Sequence, residues 1–349
     1  MTLDCAHCDS MVCRGGLRDA GPDFCPMYGD FPEFQDLYGK TDRLALAVQA
    51  ALVEGKGYCR WTRIREIAEF ALLMGFERIG LARCPDMARE ASLAGDYLRE
   101  RALHPVLPPP SSSCDPQGQA AFFAAQATEL NVLAGMCVGH EAIFVKASTV
   151  PATALVARDL RLRHNPVAAL YTSRSYLQEE LHGHWKPQDR PEFQGVGMET
   201  LDRVTREALR EAQGPRSRLA EAMDLAHRLG VSHVGFSFCS GFREEAKLLS
   251  KVLTTNGFRV SSVCCKTGAV PKSTVGIEES QQVRPGRPEM ICNPLTQAEL
   301  LNRENVEFAL VLGQCVGHDA ATLQRLEAPA VCLVAKDRVL AHNTVAALL

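Results

Sequence analysis

The 349-residue sequence lacks several features that would place it in a specialised class of protein. It has no apolar run of the roughly 18 residues needed to span a bilayer, so we expect no contact with a membrane. Its first residues hold no basic segment followed by an apolar stretch, so we expect no secretory signal and a cytoplasmic location. The formal net charge is only -3, which gives no electrostatic reason to expect a nucleic-acid partner. Hydrophobic residues at 46% and charged residues at 23% are typical of a globular protein.

Cysteine, by contrast, is abundant, with 14 residues. Disulfides do not explain this number in a reducing compartment, because disulfide scaffolds are small, secreted and loop-rich. We therefore expect thiolates that are held by a metal or an iron–sulfur cluster, or kept for catalysis. Some cysteines are expected to be ordinary buried residues, and Cys332, inside an apolar run, is the first candidate.

The chain contains an internal repeat. Residues 114–170 align with residues 292–348 without a gap, at an offset of 178, and 24 of these 57 positions are identical. A second block, 63–91, aligns with 218–246 at an offset of 155. When a duplicated sequence diverges, core positions usually keep only their apolar character. Here reactive and charged side chains are identical in both copies, and this pattern indicates a functional site. The identical pairs include Arg63/Arg218, Glu66/Glu221, Cys84/Cys239, Cys114/Cys292, Cys137/Cys315, His140/His318, Asp159/Asp337 and His164/His342.

Helix-like and strand-like patterns alternate within each copy. Arg63–Met74 has a helical apolar stripe that stops at Gly75, and a short apolar run follows at Arg78–Ala82. This alternation predicts an α/β fold: two repeated Rossmann-like domains with mainly parallel sheets, preceded by a small Cys-rich metal-binding segment. The predicted limits are 1–40 for the Cys-rich segment, 41–171 for the first repeat, 172–196 for a linker that holds His182, His184 and Trp185, and 197–349 for the second repeat.

The two copies differ in one segment. The second copy has an additional predicted strand, Phe258–Val263, followed by Cys264-Cys265-Lys266. The first copy has Leu107 and three prolines there, which cannot extend a central strand. We therefore expect the second copy to be complete and the first to be degenerate, supplying fold, an interface or a reduced site.

Four cysteines near the start of the chain are predicted to bind a metal. Cys5, Cys8, Cys13 and Cys25 lie in a short polar segment that cannot be held together by burial. Four thiolates at such spacing can close a tetrahedral zinc site or hold an iron–sulfur cluster. His7 is an alternative ligand in a zinc site.

A second group of candidates lies at predicted strand ends of the second copy, where ligands bind in parallel sheets. Cys239, Cys265, Cys292 and Cys315 are the predicted ligands of a cluster or metal. Catalytic roles are assigned to Cys315, His318, Asp337 and Lys266: Asp337 or Asp319 would orient the imidazole, and Lys266 would lower the pKa of a thiol. The alternative is that His318 caps a helix and these cysteines are buried neutral thiols.

These motifs resemble those of the domain of unknown function 1847 family, and the resemblance covers essentially the whole chain. The matching stretches are Cys5–Pro26, Trp61-Thr62-Arg63, Gly235–Cys239, Cys265–Gly268, Cys292–Pro294 with Gln297-Ala298, Cys315–Asp319, and Lys336–Arg338 with His342-Asn343. The resemblance implies metal binding and no established reaction. Members of this family carry one such domain, so the tandem copy is a departure, as is Thr344 where the family has proline.

Three functions follow as hypotheses. The first is a metal- or iron–sulfur-binding protein with redox or sulfur chemistry at the second-copy site, acting on an unknown small molecule or redox partner. The second is a binding or sensor protein without turnover, stabilised by a structural zinc knuckle. The third is a thiol-nucleophile enzyme that uses Cys315 with His318 as its base.

Overall fold

A computed structural model of the chain describes residues 3–28, 31–39, 41–110, 114–182 and 187–349. His184 and Trp185 of the predicted linker lie outside these ranges. No helix in the described part of the chain combines the length and the apolar character that crossing a bilayer requires.

Two four-stranded sheets form the centre of the fold, and every strand pair in them is parallel. The first sheet has the order β2-β1-β3-β4, and the second has the equivalent order β6-β5-β7-β8. The predicted α/β fold with two repeated parallel sheets is therefore confirmed, whereas the domain limits stay predictions. The strands are β1 (Arg78–Ala82), β2 (His104–Val106), β3 (Leu130–Ala134), β4 (Ala152–Val156), β5 (His233–Phe238), β6 (Arg259–Cys264), β7 (Phe308–Leu312) and β8 (Ala330–Val334).

Helices connect and flank these strands. Their bounds are α1 (Phe34–Tyr38), α2 (Thr41–Gly57), α3 (Arg63–Met74), α4 (Ala88–Arg99), α5 (Pro116–Ala125), α6 (Val138–Ala147), α7 (Val167–Tyr171), α8 (Gln178–Leu181), α9 (Met198–Glu211), α10 (Arg218–Arg228), α11 (Arg243–Thr255), α12 (Pro294–Arg303) and α13 (His318–Arg325). As the sequence predicts, α3 ends at Gly75, whose φ of 72° is a left-handed cap conformation that glycine adopts without strain.

The strand that was expected as an addition in the second copy has a counterpart in the first, so this expectation is wrong: the segment forms an edge strand in both sheets. In the second sheet β6 has six residues, whereas its counterpart β2 has only three and stops before the prolines that follow Leu107. Proline cannot donate to a strand ladder, so the short edge is the direct result of this sequence. The Cys-rich N-terminal segment adds to the β6 edge: Ser262 N donates to Leu3 O at 2.8 Å, and Ala6 N donates to Ser262 Oγ at 2.9 Å.

A buried arginine from the first repeat enters the second repeat. Arg63, the first residue of α3, is fully buried and pairs with Asp319 at 2.5 Å. Its guanidinium also donates to Gln314 O at 2.9 Å and to Ala154 O at 2.8 Å, and its backbone N donates to Asp337 at 2.7 Å. Arg63 therefore fixes the turn that carries Cys315 and His318.

The counterpart of Arg63 in the second repeat, Arg218, enters the first repeat in the same way. Arg218, the first residue of α10, pairs with the buried Glu141 at 2.7 Å and donates to Met136 O at 2.9 Å. Its backbone N donates to Asp159 at 2.8 Å. Each repeat thus places one arginine against the Cys-x-x-His segment of the other. The two arginines occupy equivalent positions in the two copies.

Replacing Arg63 with methionine tests this interaction. The change leaves Asp319 as a buried charge without its partner, so we expect the free energy of unfolding to fall by about 3–5 kcal/mol. Urea unfolding followed by circular dichroism measures the change. Arg65→Met is the control, because Arg65 lies in the same helix but forms solvent-exposed interactions, a pair with Glu69 and a cation–π contact with Trp61. Its loss is expected to cost about 1 kcal/mol. Equal unfolding midpoints for the two variants would contradict this account of the interface.

Candidate metal centre

The strand order of the second sheet brings several predicted site residues to one crevice. The chain runs from β5 to β6 on one side and then crosses to β7 on the other, so the topology switches between β5 and β7. Ligands bind beyond the carboxyl ends of strands at such a switch. Cys239 directly follows β5, Cys265 directly follows β6, and Cys315 comes shortly after β7.

Five soft donor groups neighbour one another in this crevice. The pKa of Cys239 depends on Cys265 and Cys315, and that of Cys265 depends on Cys239 and Cys292. The pKa of His318 depends on both Cys292 and Cys315, so electrostatic coupling links the five residues in a ring. All five side chains are buried. The structure therefore brings together the four predicted cysteine ligands and the predicted histidine, and the term donor ring below refers to these five residues.

Basic side chains lie against the thiols of the donor ring. Lys336 Nζ is 2.8 Å from Cys239 Sγ and 3.6 Å from Cys315 Sγ, and Lys266 Nζ is 3.4 Å from Cys292 Sγ. The contact with Cys265, together with Lys266 and the imidazole, lowers the pKa of Cys292 against the effect of burial. Burial disfavours a charged Lys336, but the Cys239 and Cys315 thiols outweigh burial and raise its pKa. Within the ring the surroundings thus favour the ionised form of Cys292, whereas the pKa values of Cys239, Cys265 and Cys315 are raised.

The first repeat orients His318. Its Nε2 donates to Ala47 O of α2 at 3.2 Å, which leaves Nδ1 on the side of Cys292 and Cys315, without a hydrogen bond of normal geometry. Burial opposes protonation of this imidazole, but the two thiols outweigh burial and raise its pKa to about 10. The turn before His318 requires glycine, because Gly317 has a φ of 81° and a Cβ there would lie 2.5 Å from the Phe70 ring.

Two acidic residues that were expected beside the imidazole lie elsewhere. Asp319 accepts hydrogen bonds from Arg63, Thr153 and the backbone N of Ala154. Asp337 accepts from three backbone N–H groups, those of Arg63, Val339 and Leu340. Neither carboxylate orients His318. The geometry of Asp337 is that of a loop-holding group, and the catalytic role assigned to it stays a prediction.

A cavity of about 440 Å³ opens beside the donor ring. Its walls carry seven basic residues and two acidic ones: Arg14, Lys266, Lys272, Arg284, Arg287, Lys336, Arg338, Glu54 and Glu289. Glu54 comes from the first repeat, where it pairs with Arg338 and lies 3.5 Å from Cys315 Sγ. Arg338 also lies 3.5 Å from Glu66. Sequence reasoning missed both glutamates, although the identity of Glu66 with Glu221 in the repeat is a signal that could have found one of them.

The four N-terminal cysteines line a second, much smaller cavity. Cys5, Cys8, Cys13 and Cys25 surround a space of about 20 Å³. Cys264 lines the same space. The neighbouring Cys13 is the largest cause of the raised pKa of Cys264; Cys265 acts to lower this pKa, and burial acts to raise it. Cys264 therefore lies with the N-terminal cysteines, although its chain neighbour Cys265 is part of the donor ring. His7 lies outside this cavity and contacts Asp4 at 2.7 Å.

The first repeat also gathers a Cys/His group. The ligand atoms of Cys84, Cys137 and His140 all lie within 4.8 Å of one another, and all three residues are buried. Cys114 Sγ is 3.5 Å from Cys84 Sγ. This group occupies the positions at the ends of β1 and β3 that correspond to Cys239, Cys315 and His318. Such a donor set is consistent with metal binding.

The fold and these groups together define a class: an α/β protein with Cys/His centres, consistent with metal or iron–sulfur binding, at the strand ends of two parallel sheets. The sequence pattern of the family described as "Protein of unknown function (DUF1847)" matches residues 29–107, 108–155 and 193–333. The chain belongs to this family, as its motifs predict.

Known proteins similar to the chain include one sequence relative and two solved structures. Over 133 residues the chain is 35% identical to the uncharacterized protein MJ0455 of Methanocaldococcus jannaschii, a stretch that covers 38% of this chain and 67% of the relative. Crystal structures of Dph2 from Pyrococcus horikoshii, one of them with a 4Fe-4S cluster, are 12% and 13% identical, cover 78% of this chain and 88% of theirs, and give TM-scores of 0.23 and 0.25. TM-scores this low give the structural likeness no weight for the site.

Alkylation of the native protein separates the thiol-nucleophile hypothesis from the others. Cys59 is exposed, whereas Cys315 is buried and its pKa is raised to about 12, chiefly by the contact with Cys239 and by burial. We expect iodoacetamide at neutral pH to label Cys59 first and to leave Cys239 and Cys315 unmodified, because the thiolate is the reactive form. Peptide mapping by mass spectrometry measures the sites. Stoichiometric labelling of Cys315, without metal bound, would instead support a nucleophilic role.

Proposed function

We propose that the donor ring of the second repeat binds an iron–sulfur cluster or a zinc ion, and that the protein carries out redox or sulfur chemistry there on a small anionic molecule. The observation that carries the proposal is the convergence of four thiols and one imidazole at a topological switch point, beside a basic cavity. Soft thiolate ligands select iron–sulfur clusters and zinc over hard cations. Cys239, Cys265, Cys292, Cys315 and His318 would hold the group, which supplies electron transfer if it is a cluster and Lewis acidity if it is zinc.

The charges of the cavity support an anionic substrate. Two of the basic residues in its walls are paired with carboxylates: Lys272 with Glu289 at 2.7 Å, and Arg338 with Glu54. Lys266 and Lys336 face the thiols, while Arg284 and Arg287 are exposed at the rim. Basic walls around a partly enclosed space concentrate anions and orient them by charge-assisted hydrogen bonds. Lys266 and Lys336 are placed to hold such a substrate next to the donor ring.

The N-terminal cysteines have a place in the same proposal. Cys264 contacts Cys13 in the N-terminal group, and its chain neighbour Cys265 belongs to the donor ring. Two thiol groups joined through adjacent residues give a short route for electrons between a centre held by Cys5, Cys8, Cys13 and Cys25 and the second-repeat centre. This supports redox chemistry over binding alone. The sensor hypothesis is favoured by one observation, the enclosed character of the N-terminal cavity, which suits a closed structural zinc site.

Metal and acid-labile sulfide analysis of anaerobically purified protein tests the proposal. We expect iron, sulfide and a broad visible absorption band in the wild type, and loss of the part of the band that belongs to the donor ring in Cys315→Ala. Cys332→Ala is the matched control, because Cys332 is equally buried in the same repeat but lies in β8 outside the ring. An unchanged band and metal content in Cys315→Ala would refute the assignment of the ring. Zinc alone, without colour, would favour the sensor hypothesis.

Titration with an inorganic anion tests the cavity. We expect sulfate or phosphate to bind the wild type in isothermal titration calorimetry, and the double variant Arg284→Gln/Arg287→Gln to bind about tenfold more weakly, equivalent to about 1.4 kcal/mol. The reason is the loss of two positive charges from the cavity rim. Arg203→Gln/Arg210→Gln, which removes two exposed arginines of α9, is the control for the same change in net charge. Equal affinities in all three proteins would argue against an anion site here.

A further inference from the structure

We propose that the first repeat is not a vestige but holds its own zinc ion, bound by Cys84, Cys114, Cys137 and His140 in a closed structural site. The ligand atoms of Cys84, Cys137 and His140 lie within 4.8 Å of one another, and Cys114 lies beside Cys84 as a fourth donor. Cys137 Sγ is 3.1 Å from His140 Nδ1, and Cys84 Sγ is 3.5 Å from Cys114 Sγ. Zinc with bonds of about 2.3 Å to sulfur and about 2.0 Å to nitrogen places its ligands roughly 3.3–3.8 Å apart. Both distances are close to this range, and Cys114 would complete the set by moving toward Cys137 and His140.

An outer carboxylate completes the site. His140 Nε2 lies 3.5 Å from Asp202 Oδ1 of α9, and neither of these buried atoms has another hydrogen-bond partner among the described residues. Histidines that bind a metal through one ring nitrogen regularly direct the other to a carboxylate, which fixes the ring. Asp202 is itself held by Arg206 at 2.8 Å. His140 Nε2 and Asp202 Oδ1 face each other because, in the proposed site, His140 Nδ1 binds zinc and His140 Nε2–H donates to Asp202.

The second-repeat site differs at the positions that open it to a substrate. Lys336, which contacts the thiols of the donor ring, corresponds to Arg158, and the Arg158 guanidinium pairs with Asp86 at 2.6 Å. Arg338, in the wall of the basic cavity, corresponds to Leu160. The first repeat has no counterpart of Cys265 and Lys266. None of the four donors lines the neighbouring cavity of about 360 Å³, whose walls come from α9, α10, the loop between them, and Gly139, Arg158 and Leu160 of the first repeat.

These differences assign a structural role to the first-repeat zinc. Four protein ligands leave no open position for substrate, which is the mark of a structural site. The ion would tie the ends of β1 and β3 to the start of α5 and, through Asp202, to α9 of the second repeat. Gly139, inside the turn, is packed against α9 so closely that a Cβ would lie 1.7 Å from Thr205 Oγ1. The site therefore sits at the contact between the repeats, where it would fasten one to the other.

Zinc content per chain of the full-length protein tests the inference. We expect His140→Ala to lose one zinc per chain relative to the wild type, and His140→Cys to retain it, because cysteine is also a zinc ligand. Retention in His140→Cys separates lost coordination from misfolding. Cys315→Ala is the counterpart in the second repeat, and we expect it to change the content of the donor ring but not this zinc.

Competition with a chelator gives a second measurement. Asp202→Asn keeps all four ligands but weakens the outer hydrogen bond, and we expect zinc to be bound about 10–100-fold more weakly. Asp189→Asn in the exposed linker is the control, with no change expected. Equal zinc content in His140→Ala and the wild type would overturn the inference, whatever the analysis of the donor ring finds. Loss of iron in Cys315→Ala with this zinc retained would support both assignments separately.

Discussion

The exchange of Arg63 and Arg218 between the two repeats is the interaction on which the rest of the structure depends. A guanidinium without contact to water is stable only when its charge is paired and its N–H groups are all satisfied, so each arginine tolerates little displacement. Its acceptors are the residues just before and just after a Cys-x-x-His segment: Gln314 and Asp319 for one arginine, Met136 and Glu141 for the other. The positions of the thiols therefore follow from the packing between repeats and not from either sheet alone.

The same frame supports two different chemical environments. In the second repeat, lysines and an arginine face the thiols and a basic cavity opens beside them. In the first repeat, Arg158 pairs with Asp86, and the apolar Leu160 stands at the position of Arg338. A few side chains at the strand ends thus decide whether a Cys/His group is open and charged or closed. The strand order that carries them is equivalent in both copies.

Local patterns were sufficient to predict several elements of the fold. The apolar period of α3 and its glycine cap, and the apolar runs of β1 and β6, depend on neighbours in the sequence. The clustering of Cys239, Cys265, Cys292 and Cys315 was also predictable, because the carboxyl ends of parallel strands share one edge. What sequence could not provide were contacts across the repeats: Ala47 on His318, Glu54 beside Cys315, and Asp202 beside His140. These depend on how two distant segments pack, for which no local signal exists. Asp337 shows the reverse case, a residue kept in both copies whose carboxylate holds backbone N–H groups.

The exchange of Arg63 and Arg218 has a consequence for any chain that carries one such repeat instead of two. A chain with a single repeat would expose an arginine at the start of one helix and an unpaired carboxylate after its own Cys-x-x-His segment. Neither group could be buried until a second molecule supplied the missing half. Two identical chains related by a twofold axis satisfy both needs at once, with each arginine entering the opposite subunit. The tandem chain is, in this sense, a covalently joined homodimer, and the join allows its two halves to diverge independently.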